Sequence, residues 1–360
     1  GKTAVSASYD KTLKQWDLET GKEISTLTGH NDIVRAVAIA PDGKTAVSAS
    51  SDNTLKQWNL ETGKEISTLT GHNDIVYAVA IAPDGKTAVS ASYDKTLKQW
   101  DLETGKEIST LTGHNDIVRA VAIAPDGKTA VSASSDNTLK QWNLETGKEI
   151  STLTGHNDIV RAVAIAPDGK TAVSASNDNT LKQWDLETGK EISTLTGHND
   201  IVYAVAIAPD GKTAVSASYD KTLKQWDLET GKEISTLTGH NSFVNAVAIA
   251  PDGKTAVSAS LDNTLKQWDL ETGKEISTLT GHNSSVIAVA IAPDGKTAVS
   301  ASDDNTLKQW DLETGKEIST FIGDSSIYCC AFSPDGLTII AGESSGRVHL
   351  LRLEGGSENE

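Results

Sequence analysis

"SASYDKTLKQWDL" occupies Ser6–Leu18, and "TGH", ending in His30, follows within one more strand's length. Serine, aspartate and histidine this close together suggest the nucleophile, orienting acid and base of a hydrolase. Yet the stretch returns as "SASSDNTLKQWNL" at Ser48, as "SASYDKTLKQWDL" at Ser90, and in five further copies. Catalysis needs one nucleophile in one special environment, so many near-identical copies point to a structural unit instead.

The repeat is 42 residues long: "GKTAVSAS" begins at Gly1, Gly43, Gly85, Gly127, Gly169, Gly211, Gly253 and Gly295. A divergent half-unit, "GLTIIAGESSGRVHLLRLE", begins at Gly336, one residue early, because "FIGDSSIYCCAFSPD" is one residue shorter than "LTGHNDIVRAVAIAPD". Within each unit "IVRAVAIA" and "TAVSAS" alternate small and β-branched residues on either side of the "APDGK" turn, which predicts two paired strands. "TLKQWDL" reads as a third strand, entered through "YDK" or "SDN", and "LETGK" turns the chain into a polar fourth, "EISTL". No segment has helical periodicity with caps. Four antiparallel strands per repeat of this length is the pattern of a β-propeller blade, and the fold class is all-β.

Composition narrows the function. The 360 residues carry 32 basic and 49 acidic side chains, a net charge of −17, which opposes binding to nucleic acid or an anionic membrane surface. The two cysteines, Cys329 and Cys330, are adjacent and point to opposite faces of a strand. They supply no disulfide framework and fit a reducing, cytoplasmic setting. No leader-like N-terminus and no apolar run of membrane-spanning length is present. The chain has no methionine and opens within a repeat, so it reads as a piece of a longer protein. "GKT" lacks the P-loop's first glycine, Ala38 standing in that place. "PDG" lacks a calcium loop's carboxylates, and histidines 42 residues apart lack zinc-site spacing. No metal and no cofactor is therefore expected.

"GH" some two strands before "WD" or "WN", with "SAS-x-D" between them, resembles the WD40 repeat, and the resemblance covers essentially the whole chain. Its near-identical units are similar to recently amplified, highly repetitive bacterial WD40 propellers. The ending "AGESSGRVHLLRLE" resembles the propeller ends of large bacterial signalling proteins. The resemblance implies a closed propeller of four-stranded blades and, in each blade, a structural hydrogen-bonded tetrad. The tetrad residues it implies include His30, Ser48, Asp52 and Trp58, then His72, Asp94 and Trp100, and His114, Asp136 and Trp142. Buried polar groups need such pairing. The last unit departs from the pattern, with "FIGDSS" lacking the histidine and Ser345 in place of the aspartate. The family usually has an apolar residue before the tryptophan, where this chain has Gln15 and its equivalents through Gln309. That amide can bond between blades or reach solvent.

Counting from Glu23 gives eight d-a-b-c units, with nine or seven blades as alternatives because identical repeats can pair in several registers. The division expected is a leftover half-repeat at 1–22, a propeller at 23–354 and a tail at 355–360. In this reading strand 23–27 joins the strands of the last unit to close the ring.

Against near identity, the differences carry information. The first varies as Arg35, Tyr77, Arg119, Arg161, Tyr203, Asn245, Ile287 and Tyr328. The second, before the turn aspartate, reads Tyr9, Ser51, Tyr93, Ser135, Asn177, Tyr219, Leu261 and Asp303. Both belong to connections that the family arrangement puts on one face, the top, while the loops of the opposite face hardly vary. Arginine and tyrosine are typical of interface hot spots. The expected binding residues are Tyr9, Arg35, Tyr77, Tyr93, Arg119, Arg161, Tyr203, Tyr219, Phe243, Leu261, Ile287 and Tyr328. The function expected is a non-enzymatic scaffold that binds a protein or peptide on this face, as the sensor or docking propeller of a larger intracellular signalling protein. The alternative is a structural spacer or an oligomerisation module that self-associates through the half-repeat.

Overall fold

The computed structural model describes residues 3–8, 12–17 and 22–352, and every regular element among them is a strand. The first three are β1 (Thr3–Ser8), β2 (Thr12–Asp17) and β3 (Lys22–Thr28). Next come β4 (Val34–Ile39), β5 (Thr45–Ser50), β6 (Thr54–Asn59) and β7 (Lys64–Thr70). These four form blade 1, an antiparallel sheet ordered β4-β5-β6-β7. In every blade the four positions are called a to d in chain order. Blades 2 to 7 repeat the sheet over residues 76–111, 118–153, 160–195, 202–238, 244–280 and 286–322. Blade 8 supplies a, b and c from Ile327–Phe332, Thr338–Glu343 and Val348–Arg352. Each a strand touches the a strands of both neighbours, and Ile327–Phe332 closes on β4. The protein is an eight-bladed propeller, and the seven- and nine-bladed alternatives fall away.

The period-two alternation of "TAVSAS" explains the stacking of blades, because it gives each b strand two buried faces. Val47, Ala49, Leu55 and Leu69 pack forward against Val76, Ala88, Trp100 and Leu102 of blade 2. The opposite face of blade 1, with Val34, Ala46, Trp58 and Leu60, packs back against Ile340 and Val348 of blade 8. The same two walls meet at each junction between them. The tryptophan is the largest piece of each wall, and truncating such a side chain to alanine costs about 3–5 kcal/mol.

The turns follow from their residues. Gly43 in "APDGK" has φ +67° and bonds back to Ala40 O, while Asp42 caps Lys44 N at 2.8 Å. In the b–c turn the left-handed residue is Asn53 (φ 71°) or, in the "YDK" units, Lys95 (φ 70°).

Two β-bulges recur. One lies in strand a, where Val34 faces Ser50 and Ala36 faces Ala49, so that Arg35 is the extra residue. The other lies in strand d, where Gln57 faces Ser67 and Trp58 faces Glu65, leaving Ile66 extra and half exposed. A bulged outer strand is a poor template for pairing with another chain.

Closure differs from the sequence-based expectation. β1, not strand 23–27, takes the fourth place of blade 8, through the pair Ala4↔Leu351, and β3 lies at the far edge of a six-stranded sheet. β1, β2 and β3 are the b, c and d strands of a unit without its a strand, so β1 has an open edge. The c strand of blade 8 has one too. Joining them covers both, and β3 keeps β2 as its partner. The expected tail, 355–360, lies outside the described residues.

The seam between blades 8 and 1 depends on close backbone approach. A Cβ at Gly346 (φ +93°) would come within 2.7 Å of His30 O and 2.8 Å of Asp32 O. A Cβ at Gly342 would meet Val34 Cγ1 at 2.5 Å. Gly346→Ala is therefore expected to destabilise the ring more than Gly336→Ala. Gly336 is also left-handed (φ +70°), yet a Cβ there would meet only Pro293 Cδ, at 3.4 Å. The backbone strain common to both is about 1–2 kcal/mol. Denaturant unfolding of the two variants measures the difference, which is the seam's own contribution.

Candidate functional site: the channel mouth

The Ser/His/Asp set is assembled in blade 1 from one connection and two strands. His30 precedes β4, Ser48 lies on β5, Asp52 in the b–c turn and Trp58 on β6. His30 Nδ1 lies 2.9 Å from Asp52 Oδ2, and Nε2 lies 2.7 Å from Ser48 Oγ. Trp58 Nε1 donates to the same Oγ at 2.8 Å. A carboxylate only accepts and an indole N–H only donates, so Nδ1 carries its proton and Ser48 Oγ has one lone pair committed to tryptophan. His30 belongs with the Ser48, Asp52 and Trp58 that follow it, not with the residues before it. The geometry recurs at His72–Asp94 with Trp100, at His114–Asp136 with Trp142, and through His282. Ser48 is completely buried. Its hydroxyl is held between two rings where no substrate arrives, so these groups tie the d–a loop to the b–c turn.

Asp52 also accepts from Thr54 N, from Thr54 Oγ1 and from Asn31 N. Burial alone would raise its pKa, but the His30 hydrogen bond and charge, with those of Thr54 and Asn31, outweigh it and hold the carboxyl well below the usual range. The equivalents from Asp94 through Asp304 are lowered in the same way. Burial lowers the pKa of His282 against the pull of Asp304.

The outward face of strand c pairs its lysine. Lys98 Nζ meets Glu107 Oε2 at 2.8 Å and Thr110 Oγ1 at 2.7 Å. The glycine of "GH" lies close over this pair, since a Cβ at Gly71 would meet Glu107 Oε2 at 2.8 Å and Trp100 at 3.3 Å. Gln57 bonds between blades, its Nε2 donating to Leu102 O at 2.9 Å while Ser67 Oγ donates to its Oε1.

Blade 8 has none of these residues. Glu343, fully buried at the end of strand b and two residues before Ser345, supplies the acidic acceptor that the turn aspartate supplies in the other blades. It receives Asp324 N at 3.0 Å and Ser345 Oγ at 2.6 Å, and it faces His349 Nε2 at 2.8 Å. Burial opposes its charge, but His349, Ser345 and Arg347 prevail and its pKa is lowered. Arg347 also pairs with Asp324.

The bulge in strand a is what builds the site. It recurs in all eight blades at the first variable position. A bulged residue leaves the ladder, and its side chain is re-aimed. Arg35, Tyr77, Tyr203, Ile287 and Tyr328, with Tyr219 and Leu261 from the b–c turns, line one cavity of about 420 Å3 at the top of the central channel. Arg119 and Arg161 adjoin it through Tyr77, at 5.9 Å, and Tyr203, at 5.6 Å. Arg35 lies 6.0 Å from both the Tyr77 and Tyr328 rings. Tyr93 stacks on Tyr77 at 5.7 Å, and Phe243 stacks on Tyr219 at 4.4 Å. Burial pushes the Tyr203 hydroxyl up to about 12. Tyr9 lies outside the described residues.

Three cavity-lining residues, Asn245, Ser285 and Asp303, were not among the expected ones. Nor were Ser51, Ser135 and Asn177, which accept hydrogen bonds from the Nε of Arg35, Arg119 and Arg161 at 2.9, 2.7 and 2.7 Å. A signal for these was present. Wherever the first variable position is arginine the second is serine or asparagine, and Tyr77 and Tyr203 go with Tyr93 and Tyr219. The two positions touch, so they vary as a pair.

Comparison with known proteins agrees with this geometry. Residues 21–59, 63–101, 105–143 and 147–185 match the family described as WD domain, G-beta repeat. Residues 202–360 match the family described as IFT122 first beta-propeller. The crystal structure of the computationally designed Ika8 protein superposes with a TM-score of 0.82 and 31% identity, over 91% of this chain and 98% of that one. The chain belongs to the WD40-repeat β-propeller family, whose members are generally protein-interaction scaffolds. Curated relatives match over one repeat. Nuclear distribution protein PAC1 of Arthroderma otae is 54% identical over 43 residues, 12% of this chain and 9% of that protein. Small ribosomal subunit protein RACK1y of Oryza sativa subsp. japonica is 49% identical over 41 residues, 11% of this chain and 12% of that protein. The chain thus spans about a tenth of the length of these relatives.

The depressed aspartate pKa values set an acid limit on stability. Each contributes fully above its unfolded value of about 4, and the contribution is lost as pH falls below it toward the folded value. The thermal midpoint is expected to be flat from neutrality to about pH 5 and to fall steeply below about pH 4. Asp178→Asn should lower the midpoint at pH 7 and reduce the acid-induced fall, as measured by calorimetry across pH.

Proposed function

We propose that the propeller is a non-enzymatic recognition module that binds a protein or peptide across the channel mouth, with acidic groups meeting Arg35, Arg119 and Arg161. One observation carries this reading. Each of these arginines is held by an Nε hydrogen bond and an aromatic face, and among the described residues none has a carboxylate within ion-pair distance. The chain carries 17 excess negative charges, and its buried c-strand lysines are paired with glutamates. Cations held ready without partners in such a chain favour an external anion.

In this reading the eight blades closed by β1 are the recognition ring, the docking or sensing part of a larger cytoplasmic signalling protein, and β2 and β3 are appended beyond blade 8. A second reading rests on the six-stranded sheet. The single ladder pair between β1 and blade 8 is a junction that two copies can exchange, which makes the half-unit an oligomerisation device. Light scattering separates the two readings: a monomer at all concentrations removes the second.

Arg119→Ala and Tyr203→Ala are each expected to weaken partner binding about tenfold or more, with circular dichroism showing that each variant is folded at the temperature of the titration. Calorimetric titration of the partner checks this, and full affinity in both variants removes the reading.

A further inference from the structure

The channel mouth is chemically divided. From blade 8 round to blade 5 it is lined by Tyr328, Arg35, Tyr77 and Tyr203, with Arg119 and Arg161 set beside the Tyr77 and Tyr203 rings. Over blades 6 and 7 the bulged and turn residues are Asn245, Leu261 and Ile287, with one acidic group, Asp303. The two arcs face one cavity of about 420 Å3, within the range of about 300–1,000 Å3 that holds a small ligand. A ligand that satisfies both arcs needs an anionic group and an apolar group within a few bonds of each other. A peptide's last residue has both on one Cα, its carboxylate and its side chain. An internal acidic segment needs room for two chain exits from a pit enclosed by eight blades, whereas a chain end needs one.

Resting on the recognition reading above, we infer that the channel mouth captures the free C-terminus of a partner chain ending in an apolar residue. The terminal carboxylate docks on the Arg119–Arg161 side, and the side chain lies on Leu261 and Ile287. Arginine suits the carboxylate because its terminal nitrogens remain available as a planar pair of donors once Nε is occupied. Ser135 and Asn177 are positioning residues, which hold Nε and so turn those nitrogens toward the ligand. Asp303 repels an anion on its own side and so sets the direction in which the ligand lies.

The test uses two randomised hexapeptide pools, one with free C-terminal carboxylates and one with C-terminal amides. Each is passed over the immobilised full chain, and retained peptides are sequenced by mass spectrometry. Retention of the acid pool should exceed that of the amide pool about tenfold or more, with Leu, Ile, Val or Phe enriched at the last position. Arg119→Ala with Arg161→Ala should abolish the difference. Ile287→Asp should remove the apolar preference, and circular dichroism and thermal midpoint show whether each variant is folded. Equal retention of the two pools, or retention from neither, overturns the inference. If retention is equal, selects internal acidic residues and still requires Arg119, the recognition reading stands and only the capture of chain ends fails. Equal retention that survives loss of both arginines removes the two together.

Discussion

The hydrogen bond between the histidine of "GH" and the turn aspartate is the contact on which the upper half of the molecule depends. It joins the connection that enters a blade to the turn between strands b and c, and the strand-a bulge begins four residues after the histidine. His30 and Asp52 therefore set the height and angle at which Arg35 leaves the sheet. The buried serine and tryptophan anchor this clamp from below. Repeated from blade 1 to blade 7, the same four groups give these blades the same rigid rim.

Such a frame divides the repeat into positions that must agree and positions that need not. The wall residues Val47, Ala49, Leu55 and Leu69 contact the next blade, so a change in one unit must be matched in its neighbour. The residue at the bulge and the one before the turn aspartate contact each other, the channel and the rim side chains of the neighbouring blades. A blade can exchange Arg with Ser for Tyr with Tyr and leave its wall unaltered. An arginine beside tyrosine in the second position would lose its Nε acceptor, which is why the two change together. Binding chemistry is thereby carried by pairs of residues on a common scaffold.

The fold was legible in the sequence because its signals repeat. Period-two alternation in "TAVSAS", the "PDG" and "ETG" turns and the 42-residue spacing all gave the same result. The tetrad was expected from the resemblance to the WD40 repeat, which its recurring residue types carry. What the sequence left open had physical reasons. Gln57 could face a neighbouring blade or water, and only the placement of Leu102 O across the seam decides it. Strand 23–27 and β1 were both able to pair with the last c strand, since near-identical repeats offer several registers. The residues that hold the arginines are ordinary serines and an asparagine, conspicuous only when the two variable positions are read together. The bulges leave no compositional mark, so the half-exposed Ile66 looked like any other strand residue.

Seven nearly interchangeable blades pose a problem of counting, because any wall fits any other and a ring of seven or nine would bury the same surfaces. Blade 8 is different. Gly342 and Gly346 admit Val34 and the His30–Asp32 backbone more closely than any side chain would allow, and a buried glutamate, arginine and histidine replace the tetrad. This blade is a keyed end, shaped for the first blade and for the seventh. The unlike unit acts as an index mark on an otherwise uniform wheel, and it tells the chain where one turn is complete.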